Sequence, residues 1–316
     1  MFSLIVALAL YLAAAPAQAA DAFSAYRAFL PAAAVAKVVI EQPLALPVSA
    51  PLKKDPRRLG VEINAASAAV LDWDSDAWLF EKDPDAARPI ASLTKLVTVL
   101  TALDQDLDWD ERLEIGAADI RAARGEYLFS GETATVRDLF NLSLIASSNE
   151  AAAALARSTG LTEPEFVAQM NLKAQELGLA SGRFVEPTGL DPDNRASARD
   201  VARLVKASVA VPIIAETVVK KEYVYEPREG VRRRARSTDL LLDSFISKPP
   251  FSLLGGKTGY LQEAGYCFGA AAADGSGHRV IAVVLGADTK DERFSSVKKL
   301  IYWVFDAFTW SDQAVR

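Results

Sequence analysis

Ser92 and Lys95, in the stretch Ala91-Ser-Leu-Thr-Lys-Leu96, are residues whose types and spacing could do chemistry. Leu96, Val97, Val99, Leu100 and Leu103 follow in an apolar, helix-compatible pattern without Gly or Pro. Residues three apart share a helix face, so the spacing sets an amine beside a hydroxyl. A serine hydroxyl is a weak nucleophile until a neighbouring base takes its proton. Lysine serves as that base when burial or another cation lowers its pKa. With Ser92 opening the helix, backbone N–H groups and the dipole would favour negative charge developing there. The spacing alone is a weak signal. Ser295 with Lys298 and Ser296 with Lys299 repeat it near the C-terminus, where solvated surface is expected.

Two further groups could converge on the same place. Ser147-Ser-Asn149 lies between two helix-like runs, Leu139 to Ile145 and Ala151 to Arg157. There a hydroxyl and an amide can point into a cleft, although an ordinary helix cap would read the same way. Gly255-Gly-Lys-Thr-Gly259 places a cation and a hydroxyl on a strand whose glycines permit close backbone approach. A hairpin strand with a solvated lysine is the plainer reading, and P-loop spacing is absent.

Composition narrows the alternatives. The 316 residues, 51% hydrophobic, suffice for one large domain or two small ones. A formal net charge of -6 gives no global basic field, so no nucleic-acid partner is expected. The single cysteine, Cys267, excludes an intrachain disulfide and is expected as a buried small hydrophobe. The single histidine, His278, sits in the turn-like Asp274-Gly-Ser-Gly-His278 and is expected at the surface, which leaves no Ser-His-Asp triad. No His/Cys cluster offers a zinc site, and neither metal nor organic cofactor is expected.

The elements that must position these residues follow in chain order. Phe2 to Ala15 is almost wholly apolar and Ala17-Gln-Ala19 offers a cleavage site, so residues 1–20 read as a signal peptide. That predicts an exported protein of the periplasm or cell envelope, membrane-bound only if the segment stays uncleaved. Residues 21–57, with five prolines, read as an Ala/Pro-rich linker, and 58–316 as the domain proper. Val61 to Asn64 shows a short alternation. Ala68–Asp72 and Ala77–Phe80 read as a hairpin across Ser75-Asp76. From Ser92 to about Pro212 the pattern is helical, with start signals at Thr135, Thr162 and Ser197 and a stop at Pro212. Strand signals return at Tyr223, with strands at 254–261, 267–273 and 280–285, and a final helix runs from Phe294 to Phe308. The expected fold is therefore α+β: an antiparallel sheet flanked by helices, with an inserted all-helical lobe and Ser92 at the crossing between them.

Taken together and in this order, Ser-x-x-Lys, Ser-x-Asn and Lys-Thr-Gly form the motif set of penicillin-binding proteins and related β-lactamases. The chain resembles the serine D-alanyl-D-alanine peptidases of the low-molecular-mass penicillin-binding class over roughly residues 58–310. Ala91-Ser-Leu-Thr-Lys95 resembles the nucleophile box, and Ile145-Ala-Ser-Ser-Asn-Glu-Ala151 a Ser-Gly-Asn-Asp-Ala box with Ser148 for glycine and Glu150 for aspartate. Glu186-Pro-Thr-Gly-Leu190, Ser197-Ala-Arg-Asp200 and Gly256-Lys-Thr-Gly-Tyr260 through Tyr266 extend the likeness. Asp239 departs from it, standing where asparagine is expected. The chain ends soon after this region, without the β-rich C-terminal domain of many such carboxypeptidases.

The resemblance implies a serine DD-peptidase/β-lactamase-like fold and acyl transfer on peptidoglycan stem peptides. It gives Ser92 the nucleophile's role and Lys95 the general base's, with Lys257 helping to keep Lys95 neutral. Ser147 would relay a proton to the leaving amine and Asn149 would hold the substrate amide. Thr258 and Arg293 would bind the terminal carboxylate, and Ser92 and Tyr260, beside Gly259, would donate the oxyanion-hole N–H groups. β-Lactams would acylate Ser92. Carboxypeptidase action is the main expectation and endopeptidase action on cross-links the alternative; a β-lactamase or a non-catalytic sensor ranks lower. Arg232-Arg-Arg-Ala-Arg236 is open between a docking patch for anionic polymers and a solvated edge strand.

Overall fold

A computed structural model of the chain describes residues 48–121 and 127–311. The expected signal peptide, and the linker as far as Pro47, lie outside the described residues. Strand β1 (Leu52–Lys53) pairs with β13 (Phe308–Thr309), so the compact unit takes in residues that the prolines had suggested were linker. Val61 to Asn64 forms no strand. β2 (Ser67–Asp72) and β3 (Trp78–Lys82) form the first hairpin, followed by the short β4 (Arg88–Pro89) and a 3-10 turn at Ala91–Leu93.

The inserted lobe comes next: α1 (Thr94–Leu103), β5 (Arg112–Glu114), β6 (Thr133–Thr135), α2 (Val136–Ile145), α3 (Asn149–Ser158) and α4 (Glu163–Glu176). It continues through β7 (Arg195–Ala196), α5 (Ala198–Val209), α6 (Pro212–Val218), β8 (Glu222–Arg228) and β9 (Val231–Arg236). The chain then returns to the sheet with β10 (Ser252–Leu261), β11 (Gly265–Ala273) and β12 (Arg279–Ala287), and α7 (Lys290–Ala307) leads into β13. The five-stranded sheet has the order β10-β11-β12-β2-β3 and is antiparallel throughout. The lobe is helical but also carries three two-stranded ladders, β4–β7, β5–β6 and β8–β9.

Period-two alternation divides the core between the two faces of the sheet. Ala69, Leu71, Ile281, Val283 and Leu285 face the lobe, with Phe140, Phe166 and Val201. Ala68, Val70, Val280, Ala282 and Val284 face α7, with Val297, Leu300, Ile301 and Val304. Helix starts follow their capping residues. Thr135 accepts from the Asp138 N–H at 3.0 Å while Asp138 accepts from the Thr135 N–H at 3.1 Å. Ser197 and Asp200 repeat the exchange ahead of α5.

Four local expectations change. Pro212 opens α6 rather than ending α5, because proline's missing N–H costs nothing in a first turn. His278 is buried, stacked on Trp310 at 4.6 Å with Nδ1 2.9 Å from Asp274 Oδ2. Ser296 lies on the buried stripe of α7, so the second Ser-x-x-Lys copy is not wholly solvated. Ser92 occupies the 3-10 turn rather than the first α-helical turn. Cys267 is buried, as its apolar run suggested.

Replacing Thr135 by Ala should destabilise the protein by about 1 kcal/mol, the usual worth of an N-cap. Chemical denaturation should show a lower midpoint at unchanged slope; an unaltered midpoint would mean that the cap contributes nothing.

Candidate active site

Three chain segments meet at one edge of the sheet. The first is the turn that carries Ser92 into α1. Lys95, one helical turn on, is wholly buried and donates from Nζ to Ser92 Oγ at 3.0 Å, Asn149 Oδ1 at 2.7 Å and the Thr188 carbonyl at 2.5 Å. Burial lowers its pKa to about 7, against the opposing charges of Glu186 and Glu150. Burial is the largest cause bringing the amine toward neutrality.

The second segment is the loop from α2 to α3. Ser147 sits there at φ +61° and Ser148 caps α3 by accepting from the Ala151 N–H at 3.1 Å. Ala91, just before the nucleophile, has φ +50°. Left-handed backbone at a residue other than glycine is uncommon and costs on the order of 1–3 kcal/mol. Both loops that present a serine hydroxyl therefore hold one strained residue.

The third segment is β10. Lys257, also buried, donates to Ser147 Oγ at 2.7 Å and to the Thr258 carbonyl at 3.0 Å. Burial first, then the charges of Lys95 and Arg293, lower its pKa well below that of an ordinary lysine, while Asp239 opposes the shift. Thr258 Oγ1 lies 2.6 Å from Thr238 Oγ1. Arg293, in the first turn of α7, donates from Nη1 to the Gly259 carbonyl at 2.9 Å and packs over Tyr266 and Phe294. Burial lowers its pKa too. Tyr260 is exposed and lies against Tyr266, 4.3 Å between ring centroids.

Two glycines allow the segments to close up. A Cβ on Gly259 would sit 2.8 Å from the Ile90 carbonyl oxygen and 3.2 Å from Ser92 N. One on Gly189, whose φ is +83°, would sit 2.2 Å from the Ala91 carbonyl oxygen. Any side chain there would push strand or loop away from the nucleophile's turn. The resulting cleft, about 250 Å³, is lined by Ser92, Ser147, Asn149, Thr258, Gly259, Tyr260 and Arg293, among others. Of the nine residues selected from sequence, seven line it, and Lys95 and Lys257 lie buried behind it.

Sequence reasoning missed the roles of Thr188, Glu186 and Thr238. Glu186 accepts from Thr188 N at 2.7 Å, Leu190 N at 2.9 Å and Asn194 Nδ2 at 2.7 Å, and so shapes the loop that offers Lys95 its carbonyl. The run 186–190 was visible as a likeness, but a backbone acceptor has no residue signature. Asp239 is buried, with Oδ1 accepting from Leu241 N at 2.8 Å and Oδ2 unpartnered. Burial raises its pKa to about 6. Among the described residues no His/Cys/Asp/Glu group could hold a metal ion.

A serine hydroxyl hydrogen-bonded to a buried lysine, between an antiparallel sheet and a helical lobe, defines a serine acyl-transfer enzyme of the penicillin-binding fold. Residues 52–289 match the D-alanyl-D-alanine carboxypeptidase family model, and the chain belongs to that family. It is 34% identical over 246 residues to the D-alanyl-D-alanine endopeptidase of Pseudomonas aeruginosa, covering 77% of this chain and 78% of that one. It is also 34% identical over 272 residues to a D-alanyl-D-alanine carboxypeptidase of Bacillus subtilis, covering 82% of this chain and 67% of that one. The cefotaxime-bound structure of penicillin-binding protein D2 from Listeria monocytogenes superposes with a TM-score of 0.66 at 32% identity. That match covers 78% of this chain and the whole of the other.

The pH dependence of acylation should follow the Lys95 amine. Only the neutral amine can take the Ser92 proton, so the rate should rise with pH through about 7 and level off above it. Stopped-flow acylation by a chromogenic β-lactam would measure this; a rate constant flat from pH 5 to 9 would remove Lys95 as the base.

Proposed function

We propose that the protein is a serine D-alanyl-D-alanine carboxypeptidase acting on peptidoglycan stem peptides through an acyl-enzyme. The observation that carries this reading is Ser92 Oγ 3.0 Å from the amine of a fully buried lysine whose pKa is about 7. Family membership supports the substrate class. Ser92 Oγ attacks the carbonyl carbon of the penultimate D-alanine as its proton passes to Lys95. The N–H groups of Ser92 and Tyr260 stabilise the tetrahedral oxyanion, each such donor worth about 3 kcal/mol. The proton taken by Lys95 is returned to the leaving amine with Ser147, hydrogen-bonded to Lys257, as the relay that gains one proton as it gives one. Water then hydrolyses the serine ester. Asn149 holds the substrate amide, and Thr258 with Arg293 holds the carboxylate of the departing D-alanine. β-Lactams mimic the substrate and acylate Ser92, which the cefotaxime complex of the Listeria protein supports.

Endopeptidase action on cross-links is the second reading, favoured by relatives of that name at 34% and 30% identity. Purified protein given both pentapeptide monomer and cross-linked dimer should release D-alanine from the monomer, and Ser92→Ala should abolish both release and penicillin labelling. Arg293→Ala should cost about 2–3 kcal/mol in kcat/KM on the carboxylate-terminated peptide. Dimer cleavage without D-alanine release would move the assignment to endopeptidase. Rapid nitrocefin turnover would point to a β-lactamase, and labelling without any peptide cleavage to a sensor.

The working location is the cell envelope, with residues 1–20 as a cleaved signal peptide and the compact unit that begins at Val48 as the catalytic domain. No helix among the described residues is long and apolar enough to cross a membrane. N-terminal sequencing of the protein from an envelope fraction should begin near Ala20; an intact Met1 in the cytosol would overturn this.

A further inference from the structure

The arginine run that catalysis leaves unused lies on β9, paired with β8 in a two-stranded hairpin. Its inward face is pinned to the lobe. Tyr223 donates to Asp138 Oδ1 at 2.8 Å, Tyr225 to the Tyr127 carbonyl at 2.6 Å, and Arg233 grips the buried Glu132 with bonds of 2.6 and 2.7 Å. Strand alternation then turns Arg232, Arg234 and Arg236 to the other face, where all three are exposed. Arg234 has Glu222 at 3.2 Å; Arg232 and Arg236 make no ion pair among the described residues. Glu222 and Glu226 are the acidic side chains that share this face.

The charge contrast is local and large. Residues 220–236 hold seven cationic and three acidic side chains, net +4, in a chain whose formal net charge is -6. The hairpin also runs directly into the cleft. Ser237 N donates to the Lys221 carbonyl at its base, Thr238 N donates to the Ile145 carbonyl, and the Thr238 hydroxyl touches Thr258. Arg236 is thus two residues from the catalytic wall. A fixed cationic strip beside an active site raises the local concentration of an anionic substrate and orients it.

We infer that the outward face of this hairpin docks the peptidoglycan polymer through carboxylates of stem peptides neighbouring the one being cut. The inference rests on the DD-peptidase reading. Arginine suits it, because the guanidinium fork matches a carboxylate and stays charged at every physiological pH. The repeated stems of a wall polymer present repeated carboxylates, whereas a single soluble peptide presents too few to engage the strip and the cleft together.

The test uses the full-length protein with Arg232, Arg234 and Arg236 all replaced by Gln, leaving Arg233 and its Glu132 pair intact. Association with sacculi stripped of phosphate-bearing polymers is measured by co-sedimentation in a Ser92→Ala background, across a salt series. Hydrolysis of a soluble pentapeptide and penicillin acylation are measured with Ser92 present. The triple variant should bind sacculi about tenfold more weakly at low salt and lose most of the salt dependence of binding, with soluble-peptide kinetics and acylation unchanged. Unchanged sacculus binding would overturn the proposal. So would an equal loss on the soluble peptide, which would make the strip part of the cleft's own architecture. A loss seen only on sacculi still carrying phosphate polymers would overturn it in favour of those polymers. Failure of the DD-peptidase reading itself would show differently, as wild-type protein that neither labels with penicillin nor cleaves peptide.

Discussion

The burial of two lysine amines side by side is the constraint on which the rest of the site depends. A buried ammonium without a paired carboxylate loses several kcal/mol of hydration that hydrogen bonds recover only in part. The protein lets the charge weaken instead. Lys95 finds three oxygen acceptors and Lys257 two, none of them a carboxylate. Glu186 and Glu150 are near enough to be felt by Lys95 but bond elsewhere, so the amine stays close to neutrality. A direct carboxylate partner would stabilise the ammonium and remove the base. The polar arrangement around Lys95 thus satisfies its N–H groups without fixing its proton.

That arrangement demands close backbone contact. The Lys95 amine reaches a carbonyl of the 188 loop only because Gly189 lies against Ala91, and β10 reaches the nucleophile's turn only because Gly259 carries no side chain. The strain at Ala91 and Ser147 belongs to the same geometry, since a tighter turn aims each hydroxyl into the cleft. The sheet's two-faced core and the capped helices of the lobe hold these loops on rigid elements, which is what keeps separations near 3 Å over bonds spanning up to 110 residues of sequence.

The lobe's edge adds a different kind of electrostatics. Inside the cleft, cations are buried and their pKa values fall. On the hairpin, the guanidinium groups of Arg232, Arg234 and Arg236 face water. Within the hairpin, alternation on β9 turns Arg233 inward onto Glu132, which raises its pKa, and turns Arg232 and Arg234 outward. The same residue type therefore serves anchoring on one face of β9 and is available for long-range attraction on the other.

Much of this was legible in the sequence, because local rules wrote it. Capping boxes at Thr135, Thr162 and Ser197 marked helix starts, apolar runs marked the strands at 68–72 and 280–285, and the three spaced motifs named the residues that converge. Where expectation failed, a long-range contact decided. Trp310 covers His278, β13 captures Leu52–Lys53, and burial is the largest cause that lowers Lys95. Spacing can bring Ser92 and Lys95 onto one face, but the pKa of that lysine depends on how completely distant segments exclude water from it. The sequence by itself determined which groups are present and which local elements carry them. Only the tertiary structure decided their solvation, and with it their protonation, because desolvation is a property of everything packed around a residue rather than of its neighbours in the chain.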